Sequence, residues 1–339
     1  MTRFSPVLAL APPWHAELRA LARGERVAAR SSDSPDRLPF EVFSGVAVLR
    51  CLGFIVQKSS WFTAAGFASS TDALGALITA AVKSDAVRCV LMEIDSPGGT
   101  TYGVGELSDR IYGLRASGKT VTAVANSMAA SAAFWIGSAA DRLLVTPGGD
   151  VGSVGVWTAH VDESAALDDA GLKVTLISAG PKKTDANPFE PLSDSAKADM
   201  QARVDSIYSA FVGTVARNRH TSPADVRENY GQGGLVRAAD ALKSRMVDGI
   251  ATFQDAFRSL SVSGDPGRSM TAAESRTANE IMASAGLAPA TVAKSAPADD
   301  FDDSYFFGSA PRRGTGHGDP NETYRRRLSL IEKQIAWDN

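Results

Sequence analysis

At 339 residues, with 22% charged side chains and a formal net charge of −3, the chain can bury a full α/β core, and nothing in its charge points to nucleic acid or an anionic membrane. Its two cysteines, Cys51 and Cys89, both lie in apolar strand-like runs and read as buried thiols rather than a disulfide, which fits a reducing compartment. No uninterrupted apolar run reaches spanning length, and the short patch from Val7 to Ala11 lacks the length of a signal-peptide core, so the reading is a soluble, unexported protein with no membrane anchor.

Residues 1 to 40 are rich in arginine and alanine, with a short helix expected from Ala16 to Arg30 and a linker from Ser31 to Pro39. Val42 to Val56 carries strand signals, punctuated by Gly45 and Gly53. Ser70 to Lys83 has helical spacing, with Leu74, Leu77, Ile78 and Ala81 on one face. Val87 to Ile94 is a continuous apolar strand ending in Asp95-Ser96-Pro97-Gly98-Gly99, followed by a helix from about Val104 to Ala116. A strand from Thr120 to Ala125, a small-residue helix after Ser131 and a strand from Arg142 to Thr146 complete a βαβαβ order, for which a parallel sheet with right-handed crossovers is expected.

A glycine-rich connection, Gly148 to Val156, leads into another short strand, and Val161 to Ala170 reads as a helix stopped by Gly171. Val174 to Ser178 reads as a strand, Ala179 to Leu192 as a loop, and Ser193 to Arg219 as a long amphipathic helix with Val204, Ile207, Tyr208, Phe211 and Val215 in one stripe. Ala238 to Lys243 and a strand-like Val247 to Phe253 close the domain. Beyond Ser261 the composition turns to Ser, Ala, Pro, Gly and charge, so 261–339 is expected to be mostly disordered, with short helices near 271–286 and 320–337. The expected layout is thus a 1–40 extension, a 41–260 catalytic domain and a 261–339 tail.

Ser131 sits where a strand hands over to a helix N-terminus, a place with uncommitted backbone N–H groups. A serine there can attack a carbonyl while the Ala132 amide helps to hold the oxyanion; the plainer reading is a packing or capping residue. Gly98 and Gly99 leave backbone N–H groups uncovered at the end of a strand, or simply make a turn. Ser153, within Gly152-Ser153-Val154-Gly155, supplies one more hydroxyl, or bonds to its own backbone. A serine nucleophile needs a base. Of four histidines, His15 and His317 fall in the probable tails, His220 in an exposed polar stretch, and His160 alone in the core. The alternative base is a lysine kept neutral by burial or a neighbouring positive charge, and Lys182-Lys183 offers one in the aperiodic loop.

The run Ile94-Asp95-Ser96-Pro97-Gly98-Gly99, then Ser127 to Phe134 with Ala139-Ala140-Asp141 behind it, then Gly152 to Gly155, then Ser178 to Pro188, resembles the signal peptide peptidase A family, and within it the lambda-type phage prohead proteases. These four blocks stand in the family's order across roughly residues 42–258. The resemblance implies a ClpP/crotonase-like repeated β-β-α core and a Ser-Lys serine endopeptidase that needs neither cofactor nor metal. In that family the base lysine is followed two residues on by Asp-x-Asn-Pro, a pattern met here at Asp185-Ala186-Asn187-Pro188, which selects Lys183 over Lys182. Ser131 then matches the nucleophile, Ser153 the serine that orients the lysine, and Gly98 with Ala132 the oxyanion hole. The chain has Ala130-Ser131-Ala132-Ala133-Phe134 where the family usually has Ala-Ser-Gly-Gly-Tyr. A second ammonium, Lys182, next to the base favours its neutral form. The resemblance further implies protein or peptide substrates, a homo-oligomeric ring, and location in the host cytoplasm or the prohead. The tail is expected to dock on a capsid or scaffold protein. A peptidase of the same family acting on other peptides, and a catalytically inactive assembly protein, are the alternatives.

Overall fold

The computed structural model describes residues 8–10, 40–64 and 66–263. The expectations of a mostly disordered tail with short helices, of a 16–30 helix and of a 31–39 linker fall outside these residues, except that 261–263, expected to begin the tail, are helical. The chain runs β1 (Leu8–Leu10), β2 (Glu41–Phe43), β3 (Val46–Val56), α1 (Trp61–Ala64), β4 (Ala68–Ser70), α2 (Thr71–Lys83), β5 (Cys89–Thr100) and α3 (Val104–Leu114). It continues through β6 (Val121–Ala130), α4 (Ala132–Gly137), β7 (Arg142–Val145), β8 (Asp150–Gly152), α5 (Ser164–Asp169) and α6 (Asp194–Asn218). The described chain closes with α7 (Pro223–Asn229), β9 (Leu235–Arg237), α8 (Ala238–Lys243), β10 (Gly249–Ile250) and α9 (Phe253–Ser263).

The strands build one sheet with central order β10-β7-β6-β5-β3-β2, in which β3, β5, β6, β7 and β10 run parallel to one another and β2 lies antiparallel to β3. This is a mixed α/β fold with a mostly parallel central sheet, the class of architecture that the resemblance implies. Its central strands are apolar at odd and even positions alike because both faces are covered. Ala47, Leu49 and Cys51 of β3 and Val90, Met92 and Ile94 of β5 pack into the main core with residues of α2, α3, α4 and α6. Val46 and Val48 of β3, with Cys89 and Leu91 of β5, point the other way and meet Phe253, Ala256, Phe257 and Leu260 of α9. The spacing of those four residues is helical, but the composition shift just beyond it leads a sequence reader to end the domain at a strand instead. In the structure only Gly249–Ile250 is strand, and α9 continues to Ser263.

Two compact units divide the described chain. The larger takes residues up to Val161, Gly180–Asn187 and residues from Leu192 onward; the smaller takes Asp162–Ala179 and Pro188–Pro191. In the smaller unit α5 begins at Ser164 rather than at Val161, and Gly171 stops it in a left-handed conformation, φ +69°. The strand expected at 174–178 does not form: these residues pair with no strand among the described residues. Val174, Leu176 and Ile177 are exposed, Ile177 at 96%. An alternating apolar segment becomes a strand only where a sheet edge receives it, and among the described residues none pairs with this one.

Candidate active site

The site is built at the carboxyl ends of β5 and β6. β5 pairs regularly with β3 as far as Leu52↔Asp95 and with β6 as far as Ile94↔Ala125; the register then shifts on both sides. Opposite β3 the extra residue lies in Asp95-Ser96-Pro97-Gly98, where Pro97 has no N–H to donate and Gly98 takes φ +99°; opposite β6 the extra residues lie on β6 itself, between Ala125 and Ala129, where Ser127 takes φ 95°. Gly99 must be glycine for a different reason: a Cβ there would stand 2.0 Å from the Ile55 carbonyl oxygen. The Gly98 N–H donates to the buried Ser96 Oγ at 3.2 Å.

β6 pairs with β8 through Ala130↔Gly152, and the Ser131 N–H extends this ladder by one bond to the Gly152 carbonyl, 2.7 Å. At Ser131 the chain turns sharply, with φ 55° and ψ −118°, and α4 begins at Ala132. A non-glycine residue there is strained, and its neighbours hold it on both sides. Every residue of α4 is buried, and Ser131 itself is 1% exposed. Trp135 stacks on Phe211 with centroids 4.5 Å apart, and Phe134 meets Tyr230 edge-on. A buried amide, Asn218, ties the helix bundle together: its Nδ2 donates to Ser138 Oγ at 2.9 Å and Ser108 Oγ at 3.1 Å. Ala132 and Ala133 carry no positive φ, so the glycines usual in the family are not needed for this turn. As the first residue of α4, Ala132 has an N–H outside the helical ladder.

The Ser131 hydroxyl lies 3.5 Å from the Gly155 carbonyl oxygen, a partner the sequence did not mark. Ser153 follows β8 with φ 52°, is buried, and donates its N–H to the Gly234 carbonyl at 2.7 Å. The structure thus brings Ser131, Ser153, Gly98 and Ala132 to neighbouring ends of β5, β6 and β8. Lys183 is placed otherwise. Its N–H donates to the Gly180 carbonyl at 3.1 Å within a run of turns, its side chain is exposed, and among the described residues its ammonium has no hydrogen bond to Ser131 or Ser153.

Two other groups sort the candidate bases. His160 Nε2 stands 2.8 Å from the Asn187 carbonyl oxygen, which can only accept, so that nitrogen carries the proton and the ring fastens the lysine loop. Asn187 is buried and donates its own Nδ2 to the Thr184 carbonyl at 2.8 Å. His160 is therefore an anchor of the loop rather than a base poised on Ser131; 27 residues separate it from its partner, so no local spacing marks it. Lys182 forms an ion pair with Asp199, whose hydrogen bond and charge push its ammonium up. The sequence reading gave Lys182 a role in depressing the neighbouring lysine; a paired charge has much less influence of that kind. Among the described residues no group of three or more His, Cys, Asp or Glu side chains could hold a metal ion, and no helix is long and apolar enough to cross a membrane.

Residues 113–264 match the family model described as Peptidase family S49. The matched stretch contains Ser131, Ser153 and Lys183 and begins after Gly98. The head-tail preconnector protein GP5 of Enterobacteria phage P21 is 38% identical over 177 residues, 52% of this chain and 35% of that protein. The capsid assembly protease C of Escherichia phage lambda is 30% identical over 218 residues, 64% of this chain and 49% of that protein. A putative signal peptide peptidase SppA of Enterococcus faecium is 27% identical over 175 residues, 52% of this chain and 51% of that protein. The chain thus spans between a third and about half of the length of these relatives.

Proposed function

We propose that this chain, which carries a peptidase family S49 segment at residues 113–264, is a serine endopeptidase in which Ser131 is the nucleophile and Lys183 the general base. The observation that carries the proposal is Ser131 itself, a strained, buried serine clamped by Gly152 at the end of β6 and next to the Gly98 strand. In the first step the Ser131 oxygen bonds to the substrate carbonyl carbon and Lys183 takes the hydroxyl proton. The Gly98 and Ala132 N–H groups donate to the oxyanion, which for Gly98 means releasing Ser96 Oγ. Collapse expels the amine, which leaves with the proton held by Lys183. Water then repeats the sequence on the acyl-enzyme. Ser153 is the residue that orients the ammonium. Lys182 is a weaker candidate for the base because Asp199 already engages it.

Lys183 is exposed in one chain, and the same stretch of sequence presents Leu172, Val174, Leu176 and Ile177 to solvent. A homo-oligomer in which a neighbouring subunit covers Lys183 would bury the lysine and complete the dyad. The relatives named as a capsid assembly protease and a head-tail preconnector support capsid or scaffold proteins as substrates, cleaved in the host cytoplasm or the prohead. Residues 261–339 would then serve as the arm that docks on such a partner.

A fluorophosphonate probe tests the chemistry. The full-length chain should be labelled and should hydrolyse peptides; Ser131→Ala should lose both, Lys183→Ala should lose both while staying folded, and His160→Ala should only slow the reaction. Labelling that survives Ser131→Ala, or activity that survives Lys183→Ala but not His160→Ala, overturns the assignment.

A further inference from the structure

The strand β1 has no place in the family resemblance or in the mechanism, yet its pairing is specific. It runs antiparallel to the end of β5, with Leu8 opposite Thr100, Ala9 opposite Gly99 and Leu10 opposite Gly98. A strand has two hydrogen-bonding edges, and one edge of this stretch is already taken by β3 through Phe54↔Gly98 and Ile55↔Gly99. β1 must therefore lie on the other edge, the one that β6 uses lower down at Ser96↔Ala129. β6 abandons that edge because it turns into α4 at Ser131. β1 thus occupies the place in the sheet that opens at the nucleophile, next to the strand that carries the oxyanion glycine. Its direction, from Thr100 toward Gly98, carries the chain toward the Ser131 end. An extended peptide entering the site by adding a strand to this edge would take the same place.

We infer that the N-terminal segment containing Leu8–Leu10 is a pseudosubstrate: it fills the peptide groove of its own chain and competes with substrates for the Gly98–Thr100 edge. This rests on the peptidase reading of the site. It also deepens that reading, because the segment Val7-Leu8-Ala9-Leu10-Ala11 identifies the ligand class as an extended peptide of alternating leucine and alanine character. Backbone bonds to Gly98–Thr100 supply affinity without regard to sequence, and the edge glycines set no Cβ of their own against an incoming strand. A groove occupied in cis is available only for the fraction of time that β1 is released, so apparent affinity falls by that fraction.

The test uses the full-length chain carrying Ala9→Pro and Leu10→Pro. Successive strand residues alternate in hydrogen-bonding direction, so two adjacent prolines remove a donor of each class whatever the register. A labelled peptide of residues 5–13 is titrated into full-length Ser131→Ala protein, with and without these prolines, and followed by anisotropy. If β1 holds the groove about nine-tenths of the time, the peptide binds about tenfold more tightly to the proline form. A peptide with the same two prolines should not bind. In the Ser131 enzyme the proline pair should lower KM by the same factor at constant kcat, and added peptide should raise KM again. Equal affinity for both proteins, or no binding to either, overturns the inference. The binding arms need no turnover. A chain that binds the peptide as expected but never hydrolyses one therefore defeats the peptidase reading and leaves standing only the competition of β1 with peptides for the Gly98–Thr100 edge. A loss of the thermal transition in the proline form is distinguished from release by the unmodified chain, in which excess peptide must compete with β1 and raise KM.

Discussion

The surroundings of Ser131 and those of Lys183 are made in opposite ways. Ser131 lies between two strands and a fully buried helix, and its unfavourable φ persists because the Gly152 carbonyl, the β6–β8 ladder and the packing of Phe134 and Trp135 all fix it. Lys183 lies on an exposed run of turns anchored by His160 and Asn187, close in sequence to apolar residues that face water. The difference teaches that the fold of one chain can fix a strained serine by packing and pairing while leaving the lysine proposed as its base exposed and unengaged. Under the proposed function, a site divided in this way would stay idle in the free subunit.

The sharpest way to break this contrast is to remove each half in turn. Lys183→Ala should lower peptide hydrolysis by at least about a thousandfold while changing unfolding free energy by no more than about 0.5 kcal/mol, as for other exposed positions. A marked fall in the melting temperature of Lys183→Ala would show that the loop is part of the folded core after all. Phe134→Ala attacks the other half and should cost about 3–5 kcal/mol, read by chemical denaturation. A loss below about 1 kcal/mol would mean that α4 does not hold Ser131 by packing.

The rim of the core supplies a pH-dependent test. Burial alone would push the Asp248 carboxyl up, but the Arg219 guanidinium and the Leu143 N–H hold it below the ordinary carboxylate range. A depressed folded-state value means that this stabilisation is complete above the unfolded carboxylate value and is lost as pH falls through the folded one. Asp248→Asn should therefore cost about 2 kcal/mol near pH 7, the gap closing below about pH 4. A gap that widens in acid would reverse the sign and remove the ion pair from the account.

The smallest effect on folding belongs to the exposed segment. Ile177→Asp should leave unfolding of the subunit within about 0.5 kcal/mol of the parent, yet sediment as a smaller species than the parent and lose hydrolysis. If the parent itself is an active monomer, the covering surface lies elsewhere or is not needed. Alkylation gives a further contrast with no expected change at all: burial pushes the Cys51 thiol up to about 12, so it should resist iodoacetamide until the chain unfolds.

Much of this was legible from residue order. The α2 helix starts at its Ser70 cap, the apolar runs of β3, β5 and β6 form the parallel core, and Ser131 stands at the strand-to-helix junction that its neighbours imply. These features come from short-range patterns: side-chain alternation, helical spacing and capping act within a few residues, so the chain spells them out locally. The rest needed partners far along the sequence. Helix α9 was obscured because its apolar stripe has meaning only against the second face of the sheet, and β1 because a three-residue strand exists only where an edge is open to it. The 174–178 segment shows the converse, a strand pattern that stays unpaired because no edge in the described chain receives it. Sequence alone picked out the residues proposed for the chemistry. Tertiary structure decided which of them one chain brings together, because hydrogen-bond partners, burial and sheet edges are properties of distant segments meeting in space.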